Sequence, residues 1–493
     1  MLLLGIPRTR PGRLLPRKSM SILRARATNK SYSTTRSSSS KNSIKYIAAT
    51  GIASSSGLWW LITSSAHDDV PNLEKRPLSK QSSADLDLSK KEQVTNIISR
   101  EAYSYLVRNI PGVDRYDGAQ VPSNSPCEDV FIHGSFPSPC NDGNQWMAWA
   151  VLDGHAGRQT ADVLQEKLLP FVRRSLEHVE SSPLQNLGPE ETVQRAISQG
   201  FLDLDETIFN TALDAAKSNE PLYEKVDKLL PAFSGSCALL SLYDPITSTL
   251  HVACTGDSRA VLGQQRPDGT WEVMPLSIDQ TGRNEEEIAR LYREHPGEED
   301  IVKDGRVLGL MVSRAFGDSR WKWPLEIQEE MKRNFYGPAP LTPKYDVRTP
   351  PYLTAEPVVT TLKIDPSRAS FLIMATDGMW DMMSNHQAVH LIGDWLDTQQ
   401  AAAEEQEKKH NQPEPAHEPI IGDFGRLNEV FVDARKTIQD DNAAVHLVRN
   451  SLGGNCHELI AGRLAYSAPH SRYLRDDITV QVVFFNTRNL KRG

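Results

Sequence analysis

Four apolar runs, each bounded by an aspartate, constrain the fold of this chain more than any other feature. Residues 146–152, Trp-Met-Ala-Trp-Ala-Val-Leu, are followed at once by Asp153-Gly154-His155-Ala156-Gly157-Arg158. A run of this length, rich in Trp and Val and closed by a turn signal, reads as a buried strand. Asp153 then stands where the strand leaves the core, a place rigid enough for a metal ligand or catalytic group. Asp-Gly alone is a common turn dipeptide, so a single instance carries little weight. The pattern recurs, however. Asp257 sits in a tight turn between two apolar runs in 248–263, Asp377 and Asp381 follow 371–376, and Asp476-Asp477 precede 478–485. Glu128-Asp129 stand just before Val130-Phe131-Ile132. Carboxylates that converge at strand ends repel one another. Hard divalent cations such as Mg²⁺ or Mn²⁺ take oxygen ligands of this kind and relieve that repulsion.

Charge is spread unevenly. The chain carries a formal net charge of −8, yet residues 1–67 hold eleven Lys or Arg and no acid, so the body is more acidic than the total suggests. An acidic body argues against a nucleic-acid partner. Arg8, Arg10, Arg13, Arg17, Arg24, Arg26 and Arg36, with abundant Ser, fit a mitochondrial presequence. Residues 46–66 follow, mostly apolar or small, and are just long enough to cross a bilayer although Gly and Ser weaken their hydrophobicity. Inner-membrane attachment through 46–66 and a matrix protein with a long leader both stay open. Residues 68–90 read as a polar linker. The cysteines at 127, 140, 237, 254 and 456 show no metal-ligand pairing and are expected as reduced thiols.

The folded domain is expected over 91–490. Residues 91–107 read as a helix leading to a loop at 122–126. Ala161, Leu164 and Leu168 keep helical spacing until Pro170 interrupts, and Val193, Ile197, Phe201, Leu204 and Ile208 mark a second amphipathic helix. Strands are predicted at 237–243, 250–254, 260–262, 271–274, 371–375 and 478–485, with helices at 285–293, 387–395 and 440–452. Residues 321–352 form a long insertion rich in Pro and aromatics. Residues 399–419 are of low complexity and read as a solvated loop.

Taken in order, these stretches resemble the metal-dependent serine/threonine protein phosphatases of type 2C. The match rests on Glu128-Asp129, Asp153-Gly154-His155-Ala156-Gly157, Ser234-Gly235-Ser236, Gly256-Asp257-Ser258-Arg259, Ser313-Arg314-Ala315-Phe316-Gly317-Asp318, Asp377-Gly378-Met379-Trp380-Asp381 and Arg475-Asp476-Asp477. Any one of these is weak; seven in order are specific. The resemblance implies an α+β fold, a four-layer α-β-β-α sandwich of two antiparallel sheets flanked by helices. It also implies hydrolysis of phosphoserine and phosphothreonine by a hydroxide bridging two Mg²⁺ or Mn²⁺ ions. In that scheme Asp153 bridges the ions, the Gly154 carbonyl holds one, and Asp377 with Asp476 hold the other. Glu128 and Asp129 act through metal-bound waters, Asp257 with Asp381 seat a third, weaker ion, and His155 protonates the leaving oxygen. Asp477 is the lesser candidate of its pair, and Arg259 and Arg314 are expected to be structural.

Within the family the insertion, the His295-Pro296 stretch, Asn124-Ser125-Pro126 and residues 442–454 look like the pyruvate dehydrogenase phosphatase branch, where the insertion is a flap near the site. The pyruvate dehydrogenase complex is thus the implied phosphoprotein partner. One departure stands out. Where many members carry a phosphate-gripping arginine, this chain has Ser123-Asn124-Ser125-Pro126-Cys127, leaving Asn124 and Arg115 as weak candidates. An inactive scaffold of the same fold and a hydrolase for small phosphate metabolites remain as alternatives.

Overall fold

The computed structural model describes residues 88–140, 142–179, 189–408 and 430–490. The expected leader 1–67 with its segment 46–66, nearly all of the expected linker, and residues 409–419 of the low-complexity stretch lie outside these. Among the described residues no helix is long and apolar enough to cross a membrane.

Two antiparallel sheets carry the domain. One is six-stranded, in the order Tyr103–Leu106, Val113–Val121, Ile478–Phe485, Ser370–Ala375, Arg259–Gln265, Trp271–Pro275. The other is five-stranded: Val358–Lys363, Thr249–Thr255, Ala238–Asp244, Gln145–Leu152, Val130–Pro137. The apolar runs are continuous because both faces of each sheet are covered. Successive side chains of a strand point to opposite faces. Met147, Trp149 and Val151 therefore pack between the sheets with Leu372, Met374 and Phe485. Trp146, Ala148, Ala150 and Leu152 face the helices Gln159–Val179 and Pro189–Lys217. On the far side Phe371, Ile373, Val480 and Val482 pack on the helices Asn385–Lys408 and Ala443–Leu452. Each large side chain so buried contributes roughly 1.5–3 kcal/mol. The result is the expected four-layer sandwich.

Several local expectations are corrected by packing. The helix expected over 91–107 stops at Ile98, and Tyr103–Leu106 becomes an edge strand paired with Val113–Val121. The helix expected to break at Pro170 continues to Val179. An interior proline costs about 3 kcal/mol, but beyond it Val172 and Leu176 are buried in the cluster that holds Ile197 and Phe201, and that burial outweighs the loss. The stretch read as a loop from 399 is helical through Lys408, as its run of Ala, Glu, Gln and Lys favours once a buried helix precedes it.

The insertion is anchored rather than loose. Trp323 lies edge-on to Phe209 and Phe233 in the helical layer, and Lys322 Nζ donates to Asp205 Oδ2 at 2.6 Å and to the Ala315 carbonyl. At its far end Tyr352 packs on His295, centroids 4.6 Å apart, and donates its hydroxyl to Glu298. The two stretches that suggested a particular branch, around His295 and Tyr352, thus meet in space. Arg314 is structural, as expected: it and Arg290 pair with the buried Glu287. Those two guanidiniums outweigh burial, which acts to raise the Glu287 carboxyl, and hold it down at about 2.

Candidate metal centre

Three strand ends bring their acids together. Asp153 follows Gln145–Leu152, Asp257 occupies the turn between Thr249–Thr255 and Arg259–Gln265, and Asp377 opens the short helix Asp377–Trp380 after Ser370–Ala375. One carboxylate oxygen from each lies within 4.8 Å of the others. Burial above all pushes their carboxyls up, Asp257 to about 7, Asp377 to about 6 and Asp153 well above its ordinary range. The charge of Asp377 adds to this at Asp153 and Asp257, and that of Asp381 adds to it at Asp377, where the hydrogen bond with Asp153 acts the other way. Crowded oxygen donors with so little compensation fit hard divalent ions, which would lower the cost of keeping all three ionised.

Around this core the sequence-predicted residues divide. Asp129 is buried, faces Asp153 and Asp377 electrostatically, and accepts from the Thr376 and Thr479 hydroxyls at 3.0 and 2.7 Å. Glu128 accepts from the Gly157 amide at 2.8 Å and from Asn124 at 3.1 Å. Asp381 follows Asp377 by one helical turn, donating its amide to the Asp377 carbonyl at 2.8 Å. It faces the Asp279–Arg259 ion pair, which confirms Arg259 as structural. Asp476 leaves the chain beside Gly378, where an added Cβ would lie 3.2 Å from the Asp476 Cβ, and it pairs with Arg472. Gly154 is a glycine because an added Cβ would meet the Glu128 carbonyl oxygen at 2.3 Å, a chain-to-chain approach rather than room for an ion.

The two weak phosphate candidates both have partners within the chain. Arg115 donates to both oxygens of Asp117 at 2.7 and 2.8 Å and to the Asp441 carbonyl, with its guanidinium over the Trp395 ring. From the strand Val113–Val121 it thus faces the outer helical layer. Asn124 spends both hydrogens of its amide on Glu128 and on Asp477 at 3.1 and 2.9 Å. Asp477 itself is a hub: it also accepts from the amides of Ser123, Asn124 and Glu128, which shapes the loop that presents Glu128.

His155 stands at the rim with its Nε2 2.7 Å from Asp318 Oδ2. Burial alone would push the imidazole down. The charge and hydrogen bond of Asp318, with Glu128 and Asp257, reverse this and hold it above its ordinary value, which favours the protonated ring. The Ser-Gly-Ser motif now has a reason. A Cβ on Gly235 would sit 2.2 Å from His155 Nε2 and 2.5 Å from Asp318 Oδ2, so any side chain there would split the pair. The motif 313–318 by itself suggests no role for Asp318, because a separation of 163 positions from His155 hides the contact. Asp318→Asn is expected to lower turnover about tenfold or more. It should also move the alkaline limb of the kcat profile to lower pH, because an acid that must be protonated is then lost sooner. An unmoved limb would show that Asp318 does not set the His155 proton.

Fold and site together define a metal-dependent protein phosphatase, and the comparisons agree. The family model "Protein phosphatase 2C" matches residues 120–412. The chain is 41% identical over 456 residues to a protein phosphatase 2C homolog of Schizosaccharomyces pombe, covering 91% of this chain and 97% of that protein. It is 35% identical to the mitochondrial pyruvate dehydrogenase (acetyl-transferring) phosphatase 1 of Saccharomyces cerevisiae, covering 78% of this chain and 70% of that one. With the human protein of the same description it shares 31% over 466 residues, covering 80% and 83%. The chain belongs to the protein phosphatase 2C family and is a protein serine/threonine phosphatase, so its substrates are phosphoproteins.

Proposed function

We propose that this phosphatase works in mitochondria on the phosphorylated pyruvate dehydrogenase complex, through two divalent ions held by Asp153, the Gly154 carbonyl, Asp377 and Asp476. The observation that carries the reading is the convergence of Asp153, Asp257 and Asp377 within 4.8 Å. When bound, the ions would neutralise the phosphate dianion and acidify the attacking water.

The chain's own residues do the rest. Glu128 and Asp129 would act on the ions through water, with Asp129 kept in place by two threonine hydroxyls. Asp257 with Asp381 would seat a third ion. His155 delivers a proton to the departing serine or threonine oxygen. Its Nε2 is engaged by Asp318, so Nδ1 carries the proton that is transferred.

Substrate and compartment rest on the named relatives, on the meeting of His295 with Tyr352 and on the basic, acid-free leader. The test is phosphate release from phosphorylated pyruvate dehydrogenase and from a phosphoserine peptide, with Mg²⁺, with Mn²⁺ and with EDTA. Release from both, abolished by EDTA, is expected. Release from the peptide or other mitochondrial phosphoproteins with the complex untouched would remove pyruvate dehydrogenase as substrate. No release with any metal would favour the scaffold reading.

A further inference from the structure

We propose that Arg472 supplies the guanidinium that grips the substrate phosphate, reaching the site from the C-terminal side of the chain. The inference rests on the phosphatase reading of the acidic centre. With Arg115 committed to Asp117 and Asp441 and Asn124 to Glu128 and Asp477, the place of the usual arginine offers no open donor.

Arg472 lies in the short helical turn His470–Tyr473. That turn is clamped to the loop holding Ser123 and Asn124. The buried Ser471 hydroxyl donates to the Ser123 carbonyl at 2.5 Å, and the Ser123 hydroxyl donates to the Arg475 carbonyl at 2.8 Å. Arg475 Nη2 then donates to the Pro122 carbonyl at 2.9 Å. The two segments form one unit, so a side chain on either can serve the same spot. From its position Arg472 pairs with Asp476 and acts electrostatically on both Glu128 and Asp377. Its side chain is still 40% exposed, which places it at the mouth of the acidic centre rather than in the core.

A guanidinium that faces Asp377, Asp476 and Glu128 at an open rim is poised to meet an anion. Once divalent ions compensate the carboxylates, a phosphate dianion becomes the stronger partner for a planar, bidentate donor. Of the other arginines near this loop, Arg475 is committed to backbone carbonyls, Pro122 among them, and Arg158 spends its Nε and Nη2 on Asp162.

The test uses the full chain with saturating Mg²⁺, and the variants Arg472→Gln and Arg472→Lys. Inorganic phosphate is titrated by calorimetry, and KM and kcat are measured on a phosphoserine peptide. Arg472→Gln is expected to weaken phosphate binding and raise KM about 10- to 100-fold. Arg472→Lys should recover part of the loss, since charge is kept and the fork is not. Mg²⁺ affinity should stay or tighten, because the arginine competes for Asp476. Phosphate affinity and KM within twofold of the parent would overturn the proposal and leave Arg472 as a mere partner of Asp476. So would a loss traced wholly to weaker Mg²⁺ binding. If the Gln variant does not fold, the Lys variant carries the comparison. Failure of the parent itself to turn over peptide would strike at the phosphatase reading instead, while the phosphate titration still decides Arg472.

Discussion

Asp153→Asn is expected to lower metal-dependent phosphate release by about 10³-fold or more, and in EDTA to make the protein harder to unfold. The first effect follows from the position of Asp153 within 4.8 Å of both Asp257 and Asp377, where, on the proposed reading, it would serve both ions. The second follows from electrostatics. The carboxyls of Asp153, Asp257 and Asp377 are raised by burial, the first two also by the charge of Asp377 and Asp377 by that of Asp381. For an acid whose pKa is higher folded than unfolded, stability is greatest below the unfolded value. It falls as pH rises toward the folded value, here about 7 for Asp257 and about 6 for Asp377. The parent in EDTA should therefore lose stability from about pH 4 to pH 7, and the Asn variant should lose less. Excess Mg²⁺ should reverse the order, since an ion present at 100 times its Kd adds about 2.7 kcal/mol to the parent. Melting curves against pH, with and without Mg²⁺, check this. A variant that melts lower than the parent in EDTA at pH 8 would mean that the three carboxylates do not oppose one another.

The adjacent acids near the C-terminus are expected to separate cleanly. Asp477→Ala should cost about 2–4 kcal/mol of stability, because it leaves buried amides of Ser123, Asn124 and Glu128 without their acceptor. Turnover should fall as well, since the same loop carries Glu128. Asp476→Ala should change stability by less than about 1 kcal/mol, since its pair with Arg472 is exposed. It should instead weaken the binding of Mg²⁺. Chemical denaturation together with metal titration measures both. If Asp476→Ala proved the destabilising change and Asp477→Ala the one that cost metal affinity, their roles would be exchanged.

The strands and the acids at their ends were legible in the sequence because both are local signals. Seven apolar residues before Asp153 can only be a segment buried on both faces, and an Asp-Gly turn marks where it leaves the core. The same logic placed Asp257, Asp377 and Asp129, and ordered motifs supplied the family. Helix ends were less legible. Packing overrides the break that Pro170 signals, while the Ala-Glu-Lys run after 399, read as a solvated loop, follows its own helical preference once a buried helix precedes it.

What only the tertiary structure decided is the company each side chain keeps. Ile478–Phe485 pairs with Val113–Val121 across most of the domain, and this register sets Asp477 under the Ser123 loop and brings Arg472 to the mouth of the site. Arg115, close to that loop in sequence, is carried to the outer layer instead. Asp318 meets His155, and Gly235 must be bare beside them, through a three-stranded ribbon of two-residue strands too short to leave a periodic trace. Strand formation depends on neighbours a few residues away. Convergence of charge depends on sheet order, which no short window of sequence contains.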